Sequence, residues 1–223
     1  MAGVAGFGAG VILLPVLVWV FGPKEAVPIL SVATFLAAVS RTGLNWRDIS
    51  WSVVKWNSLG AVPVSVLATL LFVVTPPTIL VRLLGALLLL LVVYRHTNFG
   101  RDRSFGLRKF VLVGAGTSLV GGFLGVPGPI KAPFLLAYGL TGVAFVGTSA
   151  VTTVLTQLSK MAVFRTTDLL GMQVLFIGVA LGVVGFSGAY LGRWVSKRAP
   201  KRAFLLIVEG LMIIGGILLL ITG

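Results

Sequence analysis

The chain has no cysteine, a single histidine and only five acidic residues in 223. Without cysteine there are no disulfides, no thiol nucleophile and no thiolate metal site. The one histidine, His96, lies in a charged loop, so no histidine-built metal centre or proton relay is expected. Charged residues of either sign are also scarce, at 10% of the sequence. A soluble domain carries about 25% to coat its surface. This chain cannot cover itself in water, which makes it a membrane protein.

What is present is apolar: 57% of the residues are hydrophobic and the mean hydropathy is +1.10. The charge is lopsided, with 18 Lys and Arg against 5 Asp and Glu, a formal +13. In a soluble protein that balance suggests nucleic acid. Here it reads as the excess of Lys and Arg in the cytoplasmic loops of a multi-pass inner-membrane protein, with the lipid bilayer as partner and no nucleic acid. The start, MAGVAGFGAG, has no basic region and no cleavage site, so no cleavable signal peptide is expected.

A transmembrane helix needs roughly 20 mostly apolar residues. Long candidates run from Val27 to Ser40, Ser52 to Val74, Thr78 to Tyr94, Val143 to Phe164, Leu169 to Trp194 and Ala203 to Thr222. Continuous hydrophobicity excludes the alternating strands of a membrane barrel, leaving an all-α polytopic fold. Two stretches are too short to span. Val111 to Leu124 stops at the run Gly125-Val-Pro-Gly-Pro129, and Ala132 to Leu140 follows it. Val11 to Phe21 follows the glycine-rich Gly6-Phe-Gly-Ala-Gly10. Two prolines and two glycines in five residues cannot continue a helix, and lipid tolerates such backbone only inside protein or around a wet cavity.

The two halves of the chain align. Gly6-Phe7 pairs with Gly122-Phe123, Pro15 with Pro133, Leu17 with Leu135, Gly22 with Gly139, Ser31 with Thr148 and Ala33 with Ala150. The order of elements repeats too: one broken, re-entrant half-helix element, then three transmembrane helices, twice. The expected organisation is a first repeat over 1–94, a basic cytoplasmic linker over 95–108 and a second repeat over 109–223. If the broken elements do not cross, thirteen Lys and Arg lie on one side and four on the other, with Lys131 left inside the break. If the segment around Pro127 crosses, the division is ten against seven. The excess of basic residues in cytoplasmic loops favours the first, and an odd number of crossings makes the repeats inverted. Inverted repeats with broken helices are a secondary-transporter architecture, with substrate between the repeats near the midplane. Half-helix N-termini there favour anions.

Three stretches carry a family resemblance: GFGAGVILLPVL at Gly6 to Leu17, GGFLGVPGPIKAPFLLAYGL at Gly121 to Leu140, and VGTSAVTT at Val146 to Thr153. They resemble the TauE/SafE sulfite exporter family of membrane permeases. The resemblance implies export or uptake of small anions, such as sulfite, sulfoacetate and related sulfonates, without ATP hydrolysis. There are two departures. The first repeat reads Leu30-Ser31-Val32 where a Gly-Thr-Ser is expected, and the chain begins inside the first broken element, so a missing N-terminal stretch or a wrongly assigned start is expected.

The candidate substrate-binding residues are Gly8 and Gly10 before one half-helix, and Gly128 and Lys131 at the start of the other. Ser31 and Thr34 join them from the first repeat, with Thr148, Ser149, Thr152 and Gln157 from the second. Lysine inside a membrane segment is costly and normally faces a cavity or partner. At a half-helix N-terminus its charge adds to the helix dipole, which suits an anion. Hydroxyl and amide donors suit the oxygens of sulfite or a sulfonate. Arg41 and Lys160 are expected to be membrane-edge anchors. The glycine pairs Gly178/Gly182 and Gly188/Gly192 are expected to serve helix packing. Glu209, the only carboxylate in a hydrophobic span, is the candidate for a coupling proton. No cofactor or metal is expected, and no enzyme, because no nucleophile with a base, metal cluster or carboxylate pair lies in the membrane. The competing reading is a non-transporting scaffold that assembles through small-residue faces; the sequence leaves homo-oligomerisation open.

Overall fold

The computed structural model describes residues 5–96, 106–125, 128–198 and 201–222. All nine α-helices among the described residues follow from apolar runs punctuated by proline and glycine. They are α1 (Ala5–Phe21), α2 (Pro23–Leu44), α3 (Trp51–Val74), α4 (Pro77–His96), α5 (Phe110–Leu124), α6 (Gly128–Ala137), α7 (Gly142–Thr166), α8 (Met172–Arg198) and α9 (Lys201–Thr222). No strand occurs among the described residues. Four helices, α2, α3, α4 and α7, are long and apolar enough to cross a membrane. The apolar parts described for α8 and α9 are shorter, Met172–Gly185 and Glu209–Ile221.

The break falls where proline and glycine crowd together. Helix α5 ends at Gly125, whose φ of 73° is left-handed and whose N–H bonds Gly121 O at 2.9 Å. That closes the helix in the way a C-terminal glycine does. Helix α6 then runs for only 10 residues. At 1.5 Å per residue α5 and α6 measure about 22 and 15 Å, both short of a bilayer core of about 30 Å. They fold back on each other. The Phe110 ring at the start of α5 lies 5.3 Å from the Tyr138 ring just beyond α6, edge to face. Phe110, Phe134, Leu135 and Phe145 share a buried cluster with Val53 at the start of α3.

Helix α5 runs parallel to α3 in very close contact. A Cβ added at Gly60 would sit 2.0 Å from Val111 O, one at Gly114 2.1 Å from Asn57 O, and one at Gly122 2.4 Å from Ala68 Cβ. Backbones meet there because no side chain intervenes, a packing mode that membranes favour. Helix α2 lies against α7 and α8, α4 against α9, and α3 also against α7. The expectation for Gly178 and Gly182 holds, since added Cβ atoms would meet Val32 Cβ at 2.6 Å and Leu36 Cδ1 at 2.8 Å. The surroundings of Gly188 and Gly192 lie outside the described residues, as do most of the linker and the basic side chains from Arg193 to Arg202.

The glycine-rich stretch in α1 departs from expectation. Gly8 and Gly10 were expected to precede a half-helix, but α1 has already begun by Ala5 and places both inside it. An apolar run of small residues continues a helix in lipid, where only intrahelical bonds can satisfy the backbone. They are therefore not a helix N-terminus. Helix α1 instead ends at Gly22, with φ 75°, and Pro23 opens α2. Lys24 then donates to Phe72 O at 3.1 Å and to Val73 O, and its ammonium lies 5.6 Å from the Phe72 ring centroid. It closes the carbonyl end of α3, where a cation opposes the helix dipole.

Candidate functional site

The polar residues of the interior lie along one stripe of α7. Thr148, Ser149, Thr152, Thr153, Thr156, Gln157 and Lys160 are all buried. Spacings of three and four put most of them on one face. Each Thr or Ser in such a stripe can return its hydroxyl to a carbonyl of the preceding turn. Thr152 and Thr153 both do so, donating to Ser149 O at 3.0 and 2.8 Å. Thr156 donates to Thr152 O and Thr153 O at 3.1 and 3.0 Å. Their lone pairs are thereby turned toward incoming donors.

Lys131 supplies one. It sits in the first turn of α6, only 3% exposed, and donates to Ser149 O at 3.0 Å, Thr152 Oγ1 at 2.7 Å and Thr153 Oγ1 at 2.8 Å. An ammonium has three protons, and α7 takes all three. The half-helix is thus held on α7 by its own lysine. Its charge is not neutralised, because every acceptor is neutral and Arg41 repels it further. Glu25, Asp48 and Asp168 are exposed. Lys131 therefore matches the expectation of a buried cation at the break.

Gln157 ties three elements together. Its Nε2 donates to Gly125 O at 3.0 Å, at the break, and to Thr34 Oγ1 on α2. Thr34 can accept because its own proton goes to Leu30 O at 2.8 Å. The Gln157 carbonyl oxygen and the Ser149 hydroxyl are buried with no hydrogen-bond partner among the described residues.

Other expected residues have different duties. Thr148 Oγ1 accepts the Ser50 N–H at 2.9 Å and so caps α3 from another helix. Gly147 beside it packs on Asn45 and Ile49. Ser31 donates to Val27 O at 2.8 Å within α2 and makes no hydrogen bond to the stripe. Gly128 does open α6, but its immediate surroundings lie outside the described residues. Glu209 is half-buried on α9, which packs chiefly on α4 and α1. Arg41 is half-buried near the end of α2 and donates to Ala37 O at 3.0 Å.

Lys160 is the main correction. It was expected at the membrane edge, yet it is 2% exposed and donates to Gly121 O at 3.0 Å. Residue type and end-of-segment position suggested snorkelling. The signal that places it inside is its spacing of three from Gln157 and seven from Thr153 on the same stripe. Among the described residues no cluster of His, Asp or Glu is assembled to hold a metal.

The family model described as "Sulfite exporter TauE/SafE" matches residues 1–219. The chain belongs to this family. Membership, together with the apolar helices, makes it a multi-pass membrane transporter. No curated protein and no solved structure matches it.

Proposed function

We propose that this TauE/SafE-family protein is a secondary transporter of small sulfur-containing anions, sulfite or sulfonates. They would bind beside the α5–α6 break, near the membrane midplane. The observation that carries the reading is Lys131: a buried ammonium in the first turn of a half-helix, against hydroxyls and with no carboxylate partner. The α6 dipole and the lysine point the same sign at one place, and an anion is the complement of that field. Ser149, with its free hydroxyl, Thr152 and Gln157 complete the lining, with Thr34 behind Gln157. Glu209 is left as the candidate coupling acid.

The same proposal includes two inverted repeats, over 1–94 and 109–223, joined by the basic segment 95–108. Three observations support it. Helix α1 ends beside the carbonyl end of α3, whereas α6 ends beside the opposite end of α3. The contact of α2 with α8 is matched by that of α3 with α7, as an exchange of halves requires. Pro15 and Pro133 both lie inside the half-length helices, and Gly22 and Gly139, which follow them, both have positive φ. With the basic loops cytoplasmic, both ends of the α5–α6 hairpin face the cytoplasm, and the chain sits in the inner membrane.

Counterflow in proteoliposomes tests the function. Folded protein preloaded with sulfite should accumulate labelled sulfite against unlabelled excess. Failure to exchange sulfite, any sulfonate or any small carboxylate ends the transporter-of-anions reading.

A further inference from the structure

Lys160 has no role in the site as drawn above, yet it is as deeply buried as Lys131. The two ammoniums are held very differently. Lys131 has three acceptors. Lys160 has one among the described residues, Gly121 O, which also accepts the Gly125 N–H. Among the described residues two of its three protons therefore have no acceptor. A positive charge at membrane depth with protons to spare is expensive unless something negative visits it.

Its position says where that visitor would be. Thr153, which holds Lys131, and Lys160 are seven residues apart on one face of α7, about 10 Å at 1.5 Å per residue. Helix side chains lean toward the N-terminus, so the Lys160 side chain extends along α7 in the direction of the turn that carries Thr153. Gln157 lies between them, and the Ser149 hydroxyl on the Lys131 side is a further buried group with no partner. Across the stripe there are two ammoniums and a free hydroxyl, with one free acceptor, Gln157 Oε1, and no buried carboxylate among the described residues. Lys160 has a structural duty at Gly121 O, but a single carbonyl bond does not account for a full unneutralised charge.

We infer that Lys160 is a second cationic subsite and that the Lys131–Lys160 pair makes this a site for doubly charged oxyanions. This rests on the anion site proposed above and names its substrate class: sulfite or another small dianion in preference to a sulfonate monoanion. Coulomb energy scales with the product of charges. At separations of 5–10 Å and an effective dielectric constant near 20, each substrate charge gains about tenfold or more in affinity from each lysine.

Counterflow with sulfite and sulfate as dianions, and methanesulfonate and nitrate as monoanions, tests this on wild type, Lys160→Gln and Lys160→Arg. Wild type should favour the dianions. Lys160→Gln should weaken monoanions about tenfold and dianions about a hundredfold, so that the dianion-to-monoanion ratio falls about tenfold, while Lys160→Arg keeps the ratio. A general loss of packing would lower all four anions alike and leave the ratio unchanged. An unchanged ratio in Lys160→Gln, or a wild type without dianion preference, overturns the inference while leaving an anion transporter in place. If no anion exchanges in the folded wild type, the underlying anion site falls as well.

Discussion

Replacing Lys131 by methionine separates binding from folding, and the structure gives a size to each. The variant loses three hydrogen bonds from one ammonium. It strands no donor, because Thr152 and Thr153 already give their protons to Ser149 O. What remains are unused lone pairs on the two threonine oxygens, since Ser149 O still accepts from both, set against the relief of no longer burying a charge. Removing a buried charge and its desolvation together is often close to neutral. The net change in stability is about 2 kcal/mol or less, or about 8 °C at most in Tm for a chain of this size. For the substrate there is no such cancellation. A unit charge 4 Å from an ammonium at an effective dielectric constant of 20 gains about 4 kcal/mol, or close to a thousandfold in affinity. Thermal melts in detergent and sulfite counterflow on the same preparation read both quantities. Lys131→Met should melt near wild type and exchange sulfite only at concentrations far above those wild type needs. Exchange within tenfold of wild type would refute the assignment of Lys131 to the anion. A Tm fall well beyond 8 °C would show instead that the lysine is chiefly a pin between α6 and α7.

Three further outcomes follow from the packing and the proposed topology. Gly114→Ala drives a methyl into Asn57 O, and both sides of that contact are backbone; a loss near 3 kcal/mol, the upper end for overpacking, should lower the detergent Tm by about 6–12 °C. Thr148→Val leaves the Ser50 N–H without its acceptor and should cost about 1 kcal/mol, seen as a Tm fall of 2–4 °C. Because the chain has no cysteine, single cysteines report sidedness without background. Arg47→Cys, Arg108→Cys and Thr141→Cys should react with an impermeant thiol reagent from one face and Thr78→Cys from the other; Arg108 and Thr141 labelling from opposite faces would make the broken element a crossing one.

The parts of this architecture that were legible in the sequence are those written in runs and interruptions. The long helices follow from length and apolarity, and the α5–α6 break from the run Gly125-Val-Pro-Gly-Pro129, through which no single helix can continue. Lys131 stood out because its charge had no place in lipid except at a site. The sequence was misleading where one residue type has two environments. Gly8 and Gly10 permit a helix as readily as they interrupt one, and nothing in them says that α1 starts upstream. Lys160 has the same chemistry whether it snorkels or is buried. Only the neighbouring helices decide, and Gly121 O comes from 39 residues away. The duties of Thr148 and Gly147 depend likewise on the α2–α3 connection lying beneath them, a long-range fact with no local mark.

The α5–α6 hairpin also sets an order of assembly during synthesis. Its docking surface, the face of α3 around Asn57, Gly60 and Ala68, leaves the ribosome first, so α5 has somewhere to settle as soon as it enters the membrane. The acceptors for Lys131 come later, since Ser149, Thr152 and Thr153 follow it by 18 to 22 residues. At about 5–20 residues per second the nascent hairpin holds its ammonium without them for about 1–4 s. Arrival of α7 ends that interval, and makes it the helix that locks the hairpin in place.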